Sequence, residues 1–230
     1  MKQQSYIKKV VIKPWGEEHV CFHNKKKLGI TLVKIKPKHQ TSLHCHPNKK
    51  TGFIILSGLA NVQIGLYKKN ISTYKPLSIL VLRPGLFHRI SSSGKEFLYA
   101  LETETPFKKN DLVRFDDKYG RKKKSYESMT STVPCTKEHL IFNNAKNKIT
   151  KIQKFKDLVF EIKNFTNNYS LKKMKVDKDA IAIILDGCLA DHNSNMVIKY
   201  GEIVKLETIL LLAKVYKIKN NLRLLIIEKN

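Results

Sequence analysis

The chain has 230 residues, 42% of them hydrophobic, and its 44 lysines and arginines against 19 acidic residues give a net charge of +25. That apolar content excludes a disordered tail, and the length allows one large domain or two small ones. The basic residues are spread along the chain, with short runs at 25–27 and 122–124 and no nucleic-acid-binding signature beside them, so the excess fits solvated lysine-rich surfaces as well as an anionic membrane face or small anionic ligands such as phosphorylated sugars, and charge alone does not support a specific nucleic acid.

The opening MKQQSYIKKVVIKPWG contains no apolar run of signal-peptide length. Strand-like runs rich in β-branched residues then recur at 9–12, 29–35, 52–56, 60–64, 79–82 and 97–101, separated by Pro37, Pro47, Gly58, Pro84–Gly85 and a turn at 91–94. Many short strands with regular punctuation predict an antiparallel sandwich or barrel. A polar, charged stretch, 116–136, interrupts this pattern and reads as a connection between two lobes. Strand-like runs resume at 158–162, 180–185, 196–199, 203–206, 209–216 and 222–227. The apolar 209–213 run is broken by Lys214, Lys217, Lys219 and Arg223, short of the roughly 20 residues that cross a bilayer. Cys21, Cys45, Cys135 and Cys188 form no CxxC pair and read as reduced thiols, so a cytoplasmic location is expected.

The chemistry concentrates in Ser42-Leu43-His44-Cys45-His46-Pro47 and in Arg83-Pro84-Gly85-Leu86-Phe87-His88. Residues two apart on a strand share a face, so His44 and His46 project together. Neutral imidazole is the common ligand of borderline divalent metals, and a third histidine from another strand leaves open positions for water or substrate. The expected cofactor is one divalent ion held by His44, His46 and His88, with Zn, Fe, Mn, Ni and Co all open. Trp15, the single tryptophan, is expected in the barrel core.

The span 12–121 resembles the cupin domain of type II mannose-6-phosphate isomerases, the module often fused to mannose-1-phosphate guanylyltransferases. The resemblance rests on Lys13-Pro14-Trp15-Gly16, Lys34-Ile35-Lys36-Pro37, Ile55-Leu56-Ser57-Gly58, the segment from Arg83 to Arg89, and Asp111-Leu112-Val113-Arg114-Phe115-Asp116-Asp117-Lys118-Tyr119-Gly120-Arg121. It implies an all-β cupin barrel (a double-stranded β-helix, or jelly roll), a divalent metal and a sugar-phosphate or nucleotide-sugar setting. The segment from Pro47 to Gly52 replaces the acidic and aromatic residues of that family, and His44 stands where the isomerases commonly have glutamine. Thr51 stands where such cupins carry a carboxylate five residues after the second histidine, so three histidines without a carboxylate are expected. Lys49, Lys50, Tyr119 and Arg121 are candidates to cradle a phosphate, arginine by a bidentate fork and lysine as a point charge.

Ile183-Ile184-Leu185-Asp186-Gly187 echoes Ile54-Ile55-Leu56-Ser57-Gly58, which suggests a duplicated barrel, a bicupin. The expected division is a metal-binding barrel over 1–122, a linker over 123–138 and a metal-free cupin-like β domain over 139–230, the latter with a structural or dimerising role, so that a homodimer is expected. His139 and His192 read as isolated surface residues. The leading functional reading is a metal-dependent isomerase or epimerase of a phosphorylated or nucleotide-linked sugar in surface-polysaccharide assembly. The alternatives are a cupin oxygenase or lyase with a three-histidine metal, and a non-catalytic sugar-binding or regulatory bicupin. No catalytic residue is assigned; His39, Lys49 and Lys50 are the acid–base candidates.

Overall fold

Short β-branched runs pair into antiparallel ladders throughout the computed structural model, which describes residues 6–124, 126, 131–142, 152–175 and 177–230. The chain divides into two units, Met1–Phe142 and Asn143–Asn230. The first contains β1 (Lys9–Lys13), β2 (Gly16–Asn24), β3 (Leu28–Ile35), β4 (Leu43–Cys45), β5 (Lys50–Ser57), β6 (Ala60–Ile64), β7 (Ile71–Tyr74), β8 (Ile79–Leu82), β9 (His88–Ser92), β10 (Leu98–Thr105), β11 (Val113–Asp116) and β12 (Thr132–Pro134). A seven-stranded sheet runs β12-β1-β2-β3-β10-β5-β8, and a five-stranded sheet runs β11-β4-β9-β6-β7.

Between these sheets lies an apolar layer: Val33, Ile35, Phe53, Ile55, Leu82, Leu98 and Ala100 from one, Ala60, Val62 and Ile90 from the other, with Trp15 buried among them. Each aliphatic or aromatic side chain so buried contributes on the order of 2 kcal/mol of transfer free energy. The hand-over from β5 to β6 occurs at Gly58, whose φ of +83° is left-handed. A Cβ there would lie 2.9 Å from the Phe97 carbonyl oxygen, so the turn needs glycine twice over.

Two elements differ from expectation in this unit. β2 was not predicted, because its sequence GEEHVCFHN reads as polar, yet Glu18 and His19 are buried in it. Thr132–Pro134, inside the stretch expected to join the lobes, extends the seven-stranded sheet by pairing with β1, and His139 packs edge-on against His19 at 4.8 Å between ring centroids.

The second unit contains β13 (Gln153–Phe155), β14 (Leu158–Phe165), α1 (Asn168–Lys172), β15 (Ile181–Ala190), β16 (Met196–Lys199), β17 (Ile203–Lys205), α2 (Leu206–Leu212) and β18 (Lys217–Lys229). Its strands form one six-stranded sheet, β13-β14-β18-β15-β16 with β17 on β15. Leu171, Leu206 and Ile209 of the two helices pack with Ala182, Ile184, Leu224 and Ile226 of the sheet. The run 209–216, expected as a strand, is instead the end of α2 and the turn after it. Leu206, Ile209 and Ala213 are buried at helical spacing, a period hidden by the continuous apolar run around them.

The echoing glycines share a conformation but not a job. Gly187 has φ +75°, yet β15 continues through it, and the register with β18 shifts on both sides of Asp186. Asn220 and Asn221, left-handed at φ +59° and +54°, form the matching irregularity in β18. The all-β class expected from the sequence holds in both units, and no helix among the described residues is long and apolar enough to cross a membrane.

Candidate metal centre

Strand alternation sends His44 and His46 to one side of β4 and leaves Cys45 on the other. His88 opens β9 directly opposite His44 in the antiparallel register. The Pro84–Gly85 turn that precedes it is tied to the end of β4 by a Gly85 N–H to His46 carbonyl hydrogen bond of 2.9 Å. The ring centroids consequently lie 4.5 Å apart for His44 and His88, 5.0 Å for His44 and His46, and 5.4 Å for His46 and His88. One ring nitrogen of each lies within 4.8 Å of those of the other two.

The backbone aims these rings. Nδ1 of His44 lies 2.8 Å from the Ser42 carbonyl, that of His46 2.6 Å from the Asp111 carbonyl, and that of His88 3.0 Å from the Leu86 carbonyl. Asp111 is itself held by the Asn48 N–H at 2.9 Å and the Asn48 side-chain amide at 2.8 Å. An Nδ1–H donating to a carbonyl leaves the Nε2 lone pair as the free ligand. Nε2 of His46 and of His88 is buried with no hydrogen-bond partner, the state a metal-binding nitrogen would show before its ion is counted. Burial, reinforced by Lys49 and His88, pushes His46 down to about 3; burial takes His88 to about 4 and, with His88 and His46 beside it, holds His44 well below the usual range. All three rings are neutral, which is the form that binds metal.

The trio forms part of the wall of a cavity whose lining also includes Lys13, Trp15, Glu18, Lys49, Glu102, Glu104, Lys109, Arg114, Arg121 and Tyr126. Of the residues expected to hold phosphate, Lys49 and Arg121 are here and Lys50 and Tyr119 are not. Lys49 is buried, with Nζ 2.5 Å from Glu104 Oε1. Arg121 is buried against Asp117, donating from its side chain at 3.3 and 2.7 Å, and sits over the Tyr119 ring. Lys50 pairs with Thr105 at the start of β5, and Tyr119 packs on the apolar layer, its hydroxyl 3.5 Å from the Gln40 N–H. His39 does not line the cavity; its Nδ1 lies 2.8 Å from the Pro37 carbonyl.

Sequence reasoning missed the charged side chains of the neighbouring strands. Glu102 and Glu104 stand two apart on β10 and so share a face, a signal present in the sequence and not used. Burial alone would push the Glu104 carboxyl up, but Lys109 at 2.8 Å and Lys49 hold it well below the usual carboxylate range. Glu102 has no lysine at such a distance; burial and the charge of Glu104 push it up to about 7. Its Oε1 is 3.9 Å from His46 Nε2. Thr51 is buried on β5 opposite Glu104, outside the cavity lining. Lys13 meets Glu18 at 3.0 Å, and Tyr126 donates its hydroxyl hydrogen to the same carboxylate. Among the described residues, the second unit brings together no comparable ligand group, and His192 is exposed.

Residues 1–117 match the family described as Mannose-6-phosphate isomerase C-terminal. The Xanthan biosynthesis protein XanB of Xanthomonas campestris pv. campestris is 32% identical over 117 residues, covering 48% of this chain and 23% of that protein. Mannose-1-phosphate guanylyltransferase ManC of Salmonella typhimurium is 25% identical over 126 residues, 52% of this chain and 25% of its own length. Among solved structures, a protein of Klebsiella pneumoniae with a double-stranded β-helix domain aligns over 44% of this chain and 84% of its own at a TM-score of 0.39 and 19% identity. The chain thus spans about a quarter of the curated relatives it matches. Because the family match takes in half of the chain and all three histidines of the trio, the protein belongs to the mannose-6-phosphate isomerase C-terminal family, and its first unit is a cupin.

Proposed function

We propose that this chain is a metal-dependent cupin that takes a phosphorylated or nucleotide-linked sugar and acts on it as an isomerase or epimerase in surface-polysaccharide biosynthesis. The observation that carries the reading is the convergence of three neutral imidazoles, two with orphaned buried Nε2 atoms, on a cavity that also presents Lys13, Lys49, Arg114 and Arg121. The names of XanB and ManC, a xanthan biosynthesis protein and a mannose-1-phosphate guanylyltransferase, support the sugar setting.

His44, His46 and His88 would hold one divalent ion, which when bound supplies Lewis acidity toward a sugar carbonyl or a pair of sugar oxygens. The chain's own residues do the rest. The carbonyls of Ser42, Leu86 and Asp111 fix the rings so that binding costs little reorganisation. Arg121, held by Asp117 through Nε and Nη2, places its guanidinium charge at the cavity wall, where it would attract a phosphate. Trp15, Phe53 and Ile90 form an apolar wall beside the histidines and limit water there.

The test joins metal analysis to calorimetry on the purified protein, with mannose 6-phosphate, a nucleotide sugar and free mannose as ligands. About one divalent ion per chain is expected, absent from the His44→Ala, His46→Ala double variant. The anionic sugars should bind at least tenfold more tightly than mannose, with the preference weakened by salt and by Arg121→Ala but not by Lys50→Ala. Full metal occupancy in the double variant, or equal affinity for neutral and phosphorylated sugars, would discard this reading.

A further inference from the structure

We infer that Glu18, on β2, is the residue of the cavity that recognises hydroxyl groups, its Oε2 accepting hydrogens from the ring of a bound sugar. The inference rests on the sugar-binding reading above and adds to it which part of the ligand is read. Glu18 is 6% exposed and lines the cavity. Lys13 Nζ, at 3.0 Å, and the Tyr126 hydroxyl both bind the same carboxylate oxygen, Oε1. Lys13 also lies 3.8 Å over the Tyr126 ring, so the two donors brace each other. Among the described residues Oε2 has no hydrogen-bond or ion-pair partner, and it is not one of the sealed, unpartnered buried atoms. It therefore opens on the cavity, with its direction fixed by the hold on Oε1.

The other carboxylates of the wall are placed differently. Glu104 has both oxygens taken, Oε1 by Lys49 at 2.5 Å and Oε2 by Lys109 at 2.8 Å, and Glu102 stands beside His46 at 3.9 Å. Glu18 is opposite Val33 where β2 pairs with β3, in the seven-stranded sheet, whereas His44 and His88 belong to the five-stranded one. A pyranose between the sheets would meet the trio from one side and Glu18 from the other. An ionised carboxylate accepts hydrogen bonds and cannot donate them, so Glu18 selects hydroxyls and turns a phosphate toward cations elsewhere on the wall. A largely buried acceptor is costly to leave without a donor, and a sugar hydroxyl supplies one. Trp15 and Val33, which share the cavity wall with Glu18, suit the apolar C–H face of the same ring.

Calorimetry on the full-length protein uses mannose 6-phosphate, its 2-, 3- and 4-deoxy analogues, and inorganic phosphate. At least one deoxy analogue should bind the wild type about tenfold more weakly than the parent sugar, equivalent to about 1.4 kcal/mol. Glu18→Gln keeps the shape and can turn an amide N–H toward the ligand. It should bind mannose 6-phosphate about tenfold more weakly than the wild type, bind inorganic phosphate equally well, and no longer discriminate against that analogue. Equal wild-type affinity for the parent and every deoxy analogue would overturn the assignment without any variant having to fold. So would a folded Glu18→Gln protein that keeps the wild-type affinity and discrimination, or that loses inorganic phosphate in equal measure. Failure of the wild type to bind mannose 6-phosphate at all would instead count against the sugar reading, and would overturn this subsite with it.

Discussion

His19 shows at the scale of one residue how the first unit manages buried polarity. Its ring is buried in β2, Nε2 meets the Leu140 carbonyl at 3.2 Å, and His139 lies against it. Burial, and then the nearby His139, lower it from 6.5 to about 4. A histidine depressed by folding resists protonation in the native state and accepts it freely when unfolded. Its contribution is therefore whole above pH 6.5 and is lost as pH falls from there through about 4. At pH 5 the loss amounts to about 2 kcal/mol. Urea unfolding at pH 7.5 and pH 5 should show a decrement larger than this in the wild type, because the cavity histidines add to it, and a decrement smaller by about 2 kcal/mol in His19→Gln. An identical pH dependence in both proteins would contradict the assignment, and the comparison separates His19 from the three cavity histidines, whose titration has the same sign.

At the scale of elements, the paired irregularities of β15 and β18 make a sharper demand than the turn at Gly58. A Cβ on Gly187 would come within 2.6 Å of the Asn221 carbonyl oxygen, in a backbone already at φ +75°. Gly65, at φ +78°, would meet nothing within 4 Å. Gly65→Ala should cost only the conformational penalty, about 1 kcal/mol, whereas Gly187→Ala should cost at least twice that and lower the melting temperature correspondingly. Equal melting temperatures would show that β18 yields freely. Most strands were legible for the reason that makes them fold: their apolar, β-branched runs bury an inner face. The HxH and PGxxH segments were legible because two-residue periodicity and a turn residue fix where those histidines go. β2 and the carboxylates of β10 were not, since a charged residue buried against a charged partner looks like a surface residue until the partner is known. Lys49 shows the same limit: adjacent to Lys50 in sequence, it turns inward to Glu104 while Lys50 does not line the cavity. α2 was missed because its helical spacing is overwritten by apolar residues at every position from Ile209 to Leu212.

For the whole molecule, the candidate metal ligands and the cavity wall are drawn entirely from residues 13–126, inside the first unit. A fragment ending at Phe142 should therefore bind a divalent ion with the affinity of the full chain, within a factor of about three, when both are titrated under the same conditions; a larger loss would assign the second unit a part in forming the centre. The net charge of +25 belongs to the chain as a whole, whereas inside the cavity most cations are paired with carboxylates. Long-range attraction of anions and their final recognition are thus separate contributions, the first screened by salt and the second much less so.

Strand alternation at β4 also bears on which ions the proposed centre would favour. Cys45 sits between two of the histidines in sequence, yet it is buried away from the cavity wall, and burial followed by the charge of Asp111 raises its thiol above the ordinary range. Soft, thiophilic ions such as cadmium or mercury gain their advantage over zinc or manganese from thiolate sulfur. In the proposed centre they would meet imidazole nitrogen and no thiolate, so the alternation of side chains along β4 denies them that advantage although a cysteine lies one residue from the site.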